Sequence, residues 1–196
     1  MKTVLYIDCC IRKELSRTRR LAEAFLDRLS QRQDYTIETI CLMEEPLSLL
    51  SGDFFFQRER LLDEHRLNHP RFRYAHQFQQ ADRIVIAAPF WDLSYPALLK
   101  VYFENVCVDG ITFGTAQNQL VGLCRAERML YLTTRGGNYE GSPSEMGVRS
   151  LEALCQFWGI PHLDVVAADG LDLGLEPPEA ILGRAIQQAA ALAEKF

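Results

Sequence analysis

Five short apolar runs recur along the chain, each separated from the next by enough residues for a helix. This alternation restricts the fold more than any other feature. The runs cover residues 3–8, 35–41, 82–88, 128–134 and 162–168. Their length and β-branched content predict strands. Between them a helical period is expected over 16–32, where Leu21, Ala22, Phe25 and Leu29 share a face. A second is expected over about 95–108, with Leu98, Leu99, Tyr102, Phe103 and Val106 inward. A further helix is predicted to start at Ser142 as N-cap, with Pro143 in the first position and Glu145 closing a capping box. Pro177 and Pro178 open the last one. The stretch 43–80 is less regular, with Phe54-Phe55-Phe56 and a charged helical segment near 57–67. Strands alternating with helices need crossover connections, hence an α/β fold with a parallel sheet covered on both faces. No repeat or Pro/Gly/Ser-rich linker interrupts the pattern, so one domain is expected over 1–196.

Composition removes several classes of function. Apolar residues make up 48% and charged residues 24%, which excludes a disordered or fibrous chain. Lys plus Arg is 21 and Asp plus Glu is 26, a net charge of −5. Non-specific nucleic-acid binding needs a basic surface, so no nucleic-acid partner is expected. No apolar run approaches the ~18 residues that cross a bilayer, so no membrane insertion is expected. The run before Asp8 is too short for a signal-peptide core, which places the protein in the cytoplasm. Six cysteines, at 9, 10, 41, 107, 124 and 155, form no C-x-x-C pair and read as buried small hydrophobes. His65 and His69 have helical spacing, but Pro70 disfavours helix there, so no metal site is assigned.

Ligands of open parallel sheets bind beyond the carboxyl ends of the strands. Three loops lie there: 9–18, 89–95 and 134–142. In the first, Ser16 is placed to cap a helix whose free amides, with the Ser and Thr hydroxyls, make an anion site. Arg17, Arg19 and Arg20 crowd this end against the helix dipole, at a cost of roughly 0.3–1 kcal/mol each when exposed. A bound phosphate reverses that sign; the alternative is that the arginines face water. Neither G-x-x-x-x-G-K nor G-x-G-x-x-G occurs. A cysteine-phosphatase loop is disfavoured, because its Arg register falls on Leu15 after Cys9 and on Ser16 after Cys10. The second loop sets Phe90, Trp91 and Asp92 at the sheet edge, suited to a flat heterocycle. Its alternative is a helix start capped by Ser94, with the rings in the core. In the third, Gly136-Gly137 allows close approach to a ligand, or is an ordinary turn.

Taken together, Ser16-Arg17-Thr18, Pro89-Phe90-Trp91-Asp92-Leu93, Leu99-Lys100-Val101-Tyr102-Phe103 with Gly110-Ile111-Thr112-Phe113, and Thr134-Arg135-Gly136-Gly137 carry a resemblance. Over nearly its whole length the chain resembles the FMN-dependent NADH-azoreductases and NAD(P)H-quinone reductases. The resemblance implies a flavodoxin-like three-layer sandwich with a five-stranded parallel sheet. It implies FMN as cofactor and NADH or NADPH as co-substrate. Hydride would pass through flavin N5 to a quinone or azo acceptor in ping-pong order, with no catalytic nucleophile. The alternative is a flavin-binding electron carrier or redox sensor without turnover. Carried over residue by residue, Ser16, Arg17 and Thr18 hold the phosphate, with Cys9 beside them where the family often has Ser. Pro89, Phe90, Trp91, Asp92 and Leu93 line the isoalloxazine, Asp92 standing where Asn is common. Thr134, Gly136, Gly137 and Tyr139 approach from the other side, and Tyr139 or Tyr95 is the candidate proton donor. The expected partners are a small aromatic electron acceptor and a second copy of the chain.

Overall fold

The computed structural model describes every residue, Met1–Phe196. All five apolar runs are strands: β1 (Lys2–Asp8), β2 (Tyr35–Cys41), β3 (Arg83–Ala87), β6 (Arg128–Thr134) and β7 (Leu163–Ala168). They form one sheet in the order β2-β1-β3-β6-β7, and every neighbouring pair is parallel. The chain steps outward from β1 to β2 and then returns to the other side of β1 for β3. That reversal opens a crevice beyond the carboxyl ends of β1 and β3, the usual place for a ligand in such sheets.

The helices are α1 (Arg17–Ser30), α2 (Gly52–Asp63), α3 (Arg73–Gln80), α4 (Ala97–Val106), α5 (Met146–Trp158) and α6 (Pro178–Ala193). Side-chain alternation along the strands divides the core into two layers. Val4, Tyr6, Val85, Leu130 and Leu132 pack on Leu21, Phe25, Ala185 and Ala189 of α1 and α6. Leu5, Ile7, Ile84, Ile86 and Met129 pack on Phe78, Tyr102, Phe103 and Trp158 of α3, α4 and α5. The expected three-layer sandwich is therefore present. No helix is long and apolar enough to cross a membrane.

Three local expectations need correction. Helix α5 starts at Met146, not at Pro143; Ser142 Oγ accepts only from Ser144 N at 3.2 Å, and Glu145 is the cap. Helix α2 runs over Gly52–Asp63, earlier than the charged segment suggested, and ends before His65, which has φ +54°. Ser94 does not cap α4, which begins at Ala97 after Pro96. A hairpin, β4 (Phe113–Ala116) with β5 (Gln119–Gly122), was not expected. Its turn holds Gln117 and Asn118 at φ +51° and +59°, the backbone of a tight hairpin. Gly122 lies against the end of α5 so closely that a Cβ there would run into the backbone of Trp158 and Gly159.

Candidate cofactor site

The three loops are drawn together by hydrogen bonds that continue the sheet past its last paired residues. Cys9 N donates to Ala87 O at 2.8 Å, and Phe90 N donates to Thr134 O at 3.1 Å. In the first loop the buried Asp8 accepts from Cys10 N at 2.8 Å and from Arg19 Nη2 at 3.1 Å, which folds the chain back toward α1. Ser16 caps that helix by accepting from Arg19 N at 3.2 Å, leaving its hydroxyl proton available as a donor. The amides of Arg17 and Thr18 have no partner in the protein. Arg20 is held by both oxygens of Glu179, at 2.9 and 2.7 Å. Of the crowded arginines at the start of α1, only Arg17 lines the cleft, and it donates to Asp172 at 2.8 Å. The crowding is thus met partly by carboxylates.

The second loop is a tight turn. Trp91 N donates to Ser94 O at 3.0 Å, and Ser94 N returns a bond to Trp91 O at 2.8 Å. Asp92 and Leu93, its central residues, have φ +49° and +65°. For Leu93 this left-handed backbone costs roughly 1–2 kcal/mol. The strained residue is held in place because Leu93 O accepts from Met146 N at 2.9 Å. The amides of Asp92 and Leu93 make no bond within the protein, and Trp91 remains 41% exposed.

The third loop is fixed from beneath by Arg135, which is only 3% exposed. Its guanidinium donates to Asp169 at 3.2 and 3.4 Å and to Glu145 at 3.1 Å. Asp169 in turn accepts the amides of Tyr139 at 3.2 Å and Glu140 at 2.9 Å. Gly136 and Gly137 keep unpartnered amides above this base. A Cβ on Gly136 would meet Asp172 Oδ2 at 2.7 Å, the end of an exposed side chain that can swing aside. The Tyr139 ring lies 4.5 Å from that of Phe90. Thr134 and Thr18 hydroxyls meet at 2.6 Å, joining the third loop to the first.

Ser16, Arg17, Thr18, Pro89, Phe90, Trp91, Asp92, Leu93, Thr134, Gly136, Gly137 and Tyr139 border one cleft of about 430 Å³. Cys9 alone among the expected residues is absent from its lining. It continues the alternation of Leu5 and Ile7 into the core below, fully buried, and burial pushes its thiol up to about 12. Tyr95 is also turned away, its hydroxyl 2.9 Å from Ser150 Oγ. Arg12, Arg135, Leu171 and Asp172 line the cleft without having been assigned. A larger cavity of about 690 Å³ lies beyond Arg135 and Tyr139, bordered by residues such as Arg149, Glu152 and Val165. The three loops with free amides converge on the smaller space, not on this one.

Comparison with known proteins agrees with this architecture. Residues 2–193 match the family Flavodoxin_2, described by its flavodoxin-like fold. The chain is 36% identical over 198 residues to an FMN-dependent NADH:quinone oxidoreductase of Clostridium perfringens, with all of both chains covered. It is 37% identical over 198 residues to a protein of the same name from Clostridium beijerinckii, again over both full lengths. Among solved structures, an azoreductase from Bacillus anthracis str. Sterne superposes with a TM-score of 0.88 at 26% identity, covering 100% of each chain. An FMN-dependent NADH-azoreductase from Bacillus anthracis str. Ames Ancestor, solved in complex with FMN, has a TM-score of 0.86 at 23% identity, a likeness of fold. That structure is covered to 99% and this chain to 100%. The chain belongs to the Flavodoxin_2 family of flavodoxin-like proteins.

Proposed function

We propose that the protein is an FMN-dependent oxidoreductase that takes hydride from NADH or NADPH and passes it to a quinone or azo compound in ping-pong order. One observation carries this reading. The unpartnered amides of Arg17 and Thr18, beside the Ser16 hydroxyl, open onto the same cleft as the Phe90 and Trp91 rings and the Gly136-Gly137 turn. Such a donor set suits a phosphate at one end and a flat heterocycle at the other. The names of the curated relatives support FMN, NADH and a quinone, and that of the Bacillus anthracis str. Sterne structure supports an azo acceptor.

The residues present fit FMN. Ser16, Arg17 and Thr18 would hold the phosphate, where its charge favours the α1 dipole and offsets the crowding of cations. Phe90 and Trp91 would cover the ring system, with the free amides of Asp92, Leu93, Gly136 and Gly137 available to its polar edges. Bound there, FMN would supply two-electron redox chemistry at its N5. The protein binds, orients and keeps water from the ring. Tyr139, at the cleft wall, would be the phenol that hands on a proton. The 41% exposure of Trp91 leaves the rim open to a second flat molecule, which favours turnover over a sealed electron carrier.

The same reading includes a homodimer. Phe56 on α2 is 68% exposed, Leu93 at the cleft rim is 45% exposed, and Met146, whose amide bonds Leu93, is 46% exposed. Exposed apolar groups of this size suit cover by a second copy. Protein reconstituted with FMN should oxidise NADH with a quinone and give parallel lines in a double-reciprocal series. Reduced protein unable to pass electrons to any quinone or azo compound would contradict the assignment.

A further inference from the structure

The first residues of α5 touch both walls of the cleft. Glu145 Oε2 caps the helix by accepting from Val148 N at 2.8 Å. Its other oxygen accepts from Arg135 Nη2 at 3.1 Å, below the glycine turn. The next residue reaches the opposite wall, Met146 N donating to Leu93 O at 2.9 Å. One helix end therefore fixes the two turns between which a flat ring would lie. Short side chains, Ser, Thr, Asp and Asn, are the usual helix caps. Glutamate here has the extra methylene that lets one carboxylate cap the helix and grip a buried guanidinium at once. Glu145 is only 5% exposed, and Arg135 Nε has no partner, so the guanidinium is held through its two terminal nitrogens.

We propose that Glu145 is a positioning residue of the flavin site. Acting through Arg135, it sets the spacing between the Gly136-Gly137 turn and the Asp92-Leu93 turn. It thereby sets how tightly the ring is gripped and how well the two substrates are aligned on it. This rests on the FMN reading above.

Glu145→Asp separates the two duties of the carboxylate. Aspartate is a good helix cap but is one methylene too short to keep both contacts. The expected result is a melting temperature of the FMN-free protein lowered by about 3–10 °C, because a buried charged contact is stretched while the helix keeps its cap. FMN, followed by fluorescence quenching, should bind about tenfold more weakly, and kcat for quinone reduction should fall about 10- to 100-fold. Arg135→Lys should repeat the loss, and the double variant should be little worse than either single one, because both act on one link. The proposal is overturned if Glu145→Asp binds FMN and turns over like the wild type. It is equally overturned if kcat is unchanged once the variant is saturated with FMN, or if the two substitutions add. A wild-type protein that binds no FMN would remove the FMN reading and this proposal with it. Normal wild-type binding with an unaffected Glu145→Asp removes only this proposal.

Discussion

Arg135 and Glu145 meet at 3.1 Å with almost no exposure to water, and Asp169 completes the cluster 3.2 Å from the same guanidinium. A lone buried charge is far more costly than a buried pair. Arg135→Met would leave two carboxylates facing each other beneath the glycine turn. The expected loss is about 3–5 kcal/mol in urea unfolding. A loss under about 1 kcal/mol would mean that water reaches the cluster as freely as a surface pair.

The turn at Asp92-Leu93 stores strain next to the cleft. Glycine adopts a positive φ without a Cβ clash, so Leu93→Gly should stabilise the folded protein by about 0.5–1 kcal/mol after the extra entropy of the unfolded chain is counted. The same change removes a side chain from the cleft rim and loosens the wall, so FMN should bind more weakly. Opposite signs in the two measurements, denaturant midpoint and FMN titration, are the signature to look for. A destabilised Leu93→Gly would show that packing of the leucine outweighs its backbone strain.

Alkaline pH should weaken the fold through its thiols. Burial raises Cys9, Cys124 and Cys155 from an ordinary 9.0 to about 12. Below pH 9 these groups are protonated in both states and their contribution is fully present. As pH rises from 9 toward 12, the unfolded chain loses thiol protons that the folded chain keeps, so unfolding is increasingly favoured. The buried phenols of Tyr6, Tyr102 and Tyr131, also raised by burial, add to the effect above pH 10. The melting temperature should fall across this window, and Cys9→Ala should make the fall shallower. An identical slope in Cys9→Ala would contradict the assignment of that thiol.

Much of the architecture is legible in the sequence because strands buried on both faces must be continuous apolar runs. Runs such as Ile84–Ala87 announce themselves without any alternation, and their spacing dictates crossovers. The convergence of Ser16, Trp91 and Gly136 follows from the sheet, since each belongs to the loop that follows a parallel strand. What escaped notice depends on distant partners. Arg135 reads as one more loop cation until Glu145 and Asp169, ten and 34 residues away, close around it. The same pair moves the start of α5, because Glu145 caps the helix itself instead of answering Ser142. The placement of Cys9 was recoverable from period two, which puts it on the face of Leu5 and Ile7. The β4–β5 hairpin has short, partly exposed strands, and its one clear signal is the Gln117-Asn118 turn.

The central claim is that three loops form one FMN site, and equilibrium titration of the FMN-free protein with FMN tests it most directly. The account predicts saturable quenching of flavin fluorescence at one FMN per chain, weakened when the Gly136 turn is blocked by Gly136→Val. Flavin fluorescence that rises in proportion to added FMN, with no saturating component, would contradict it.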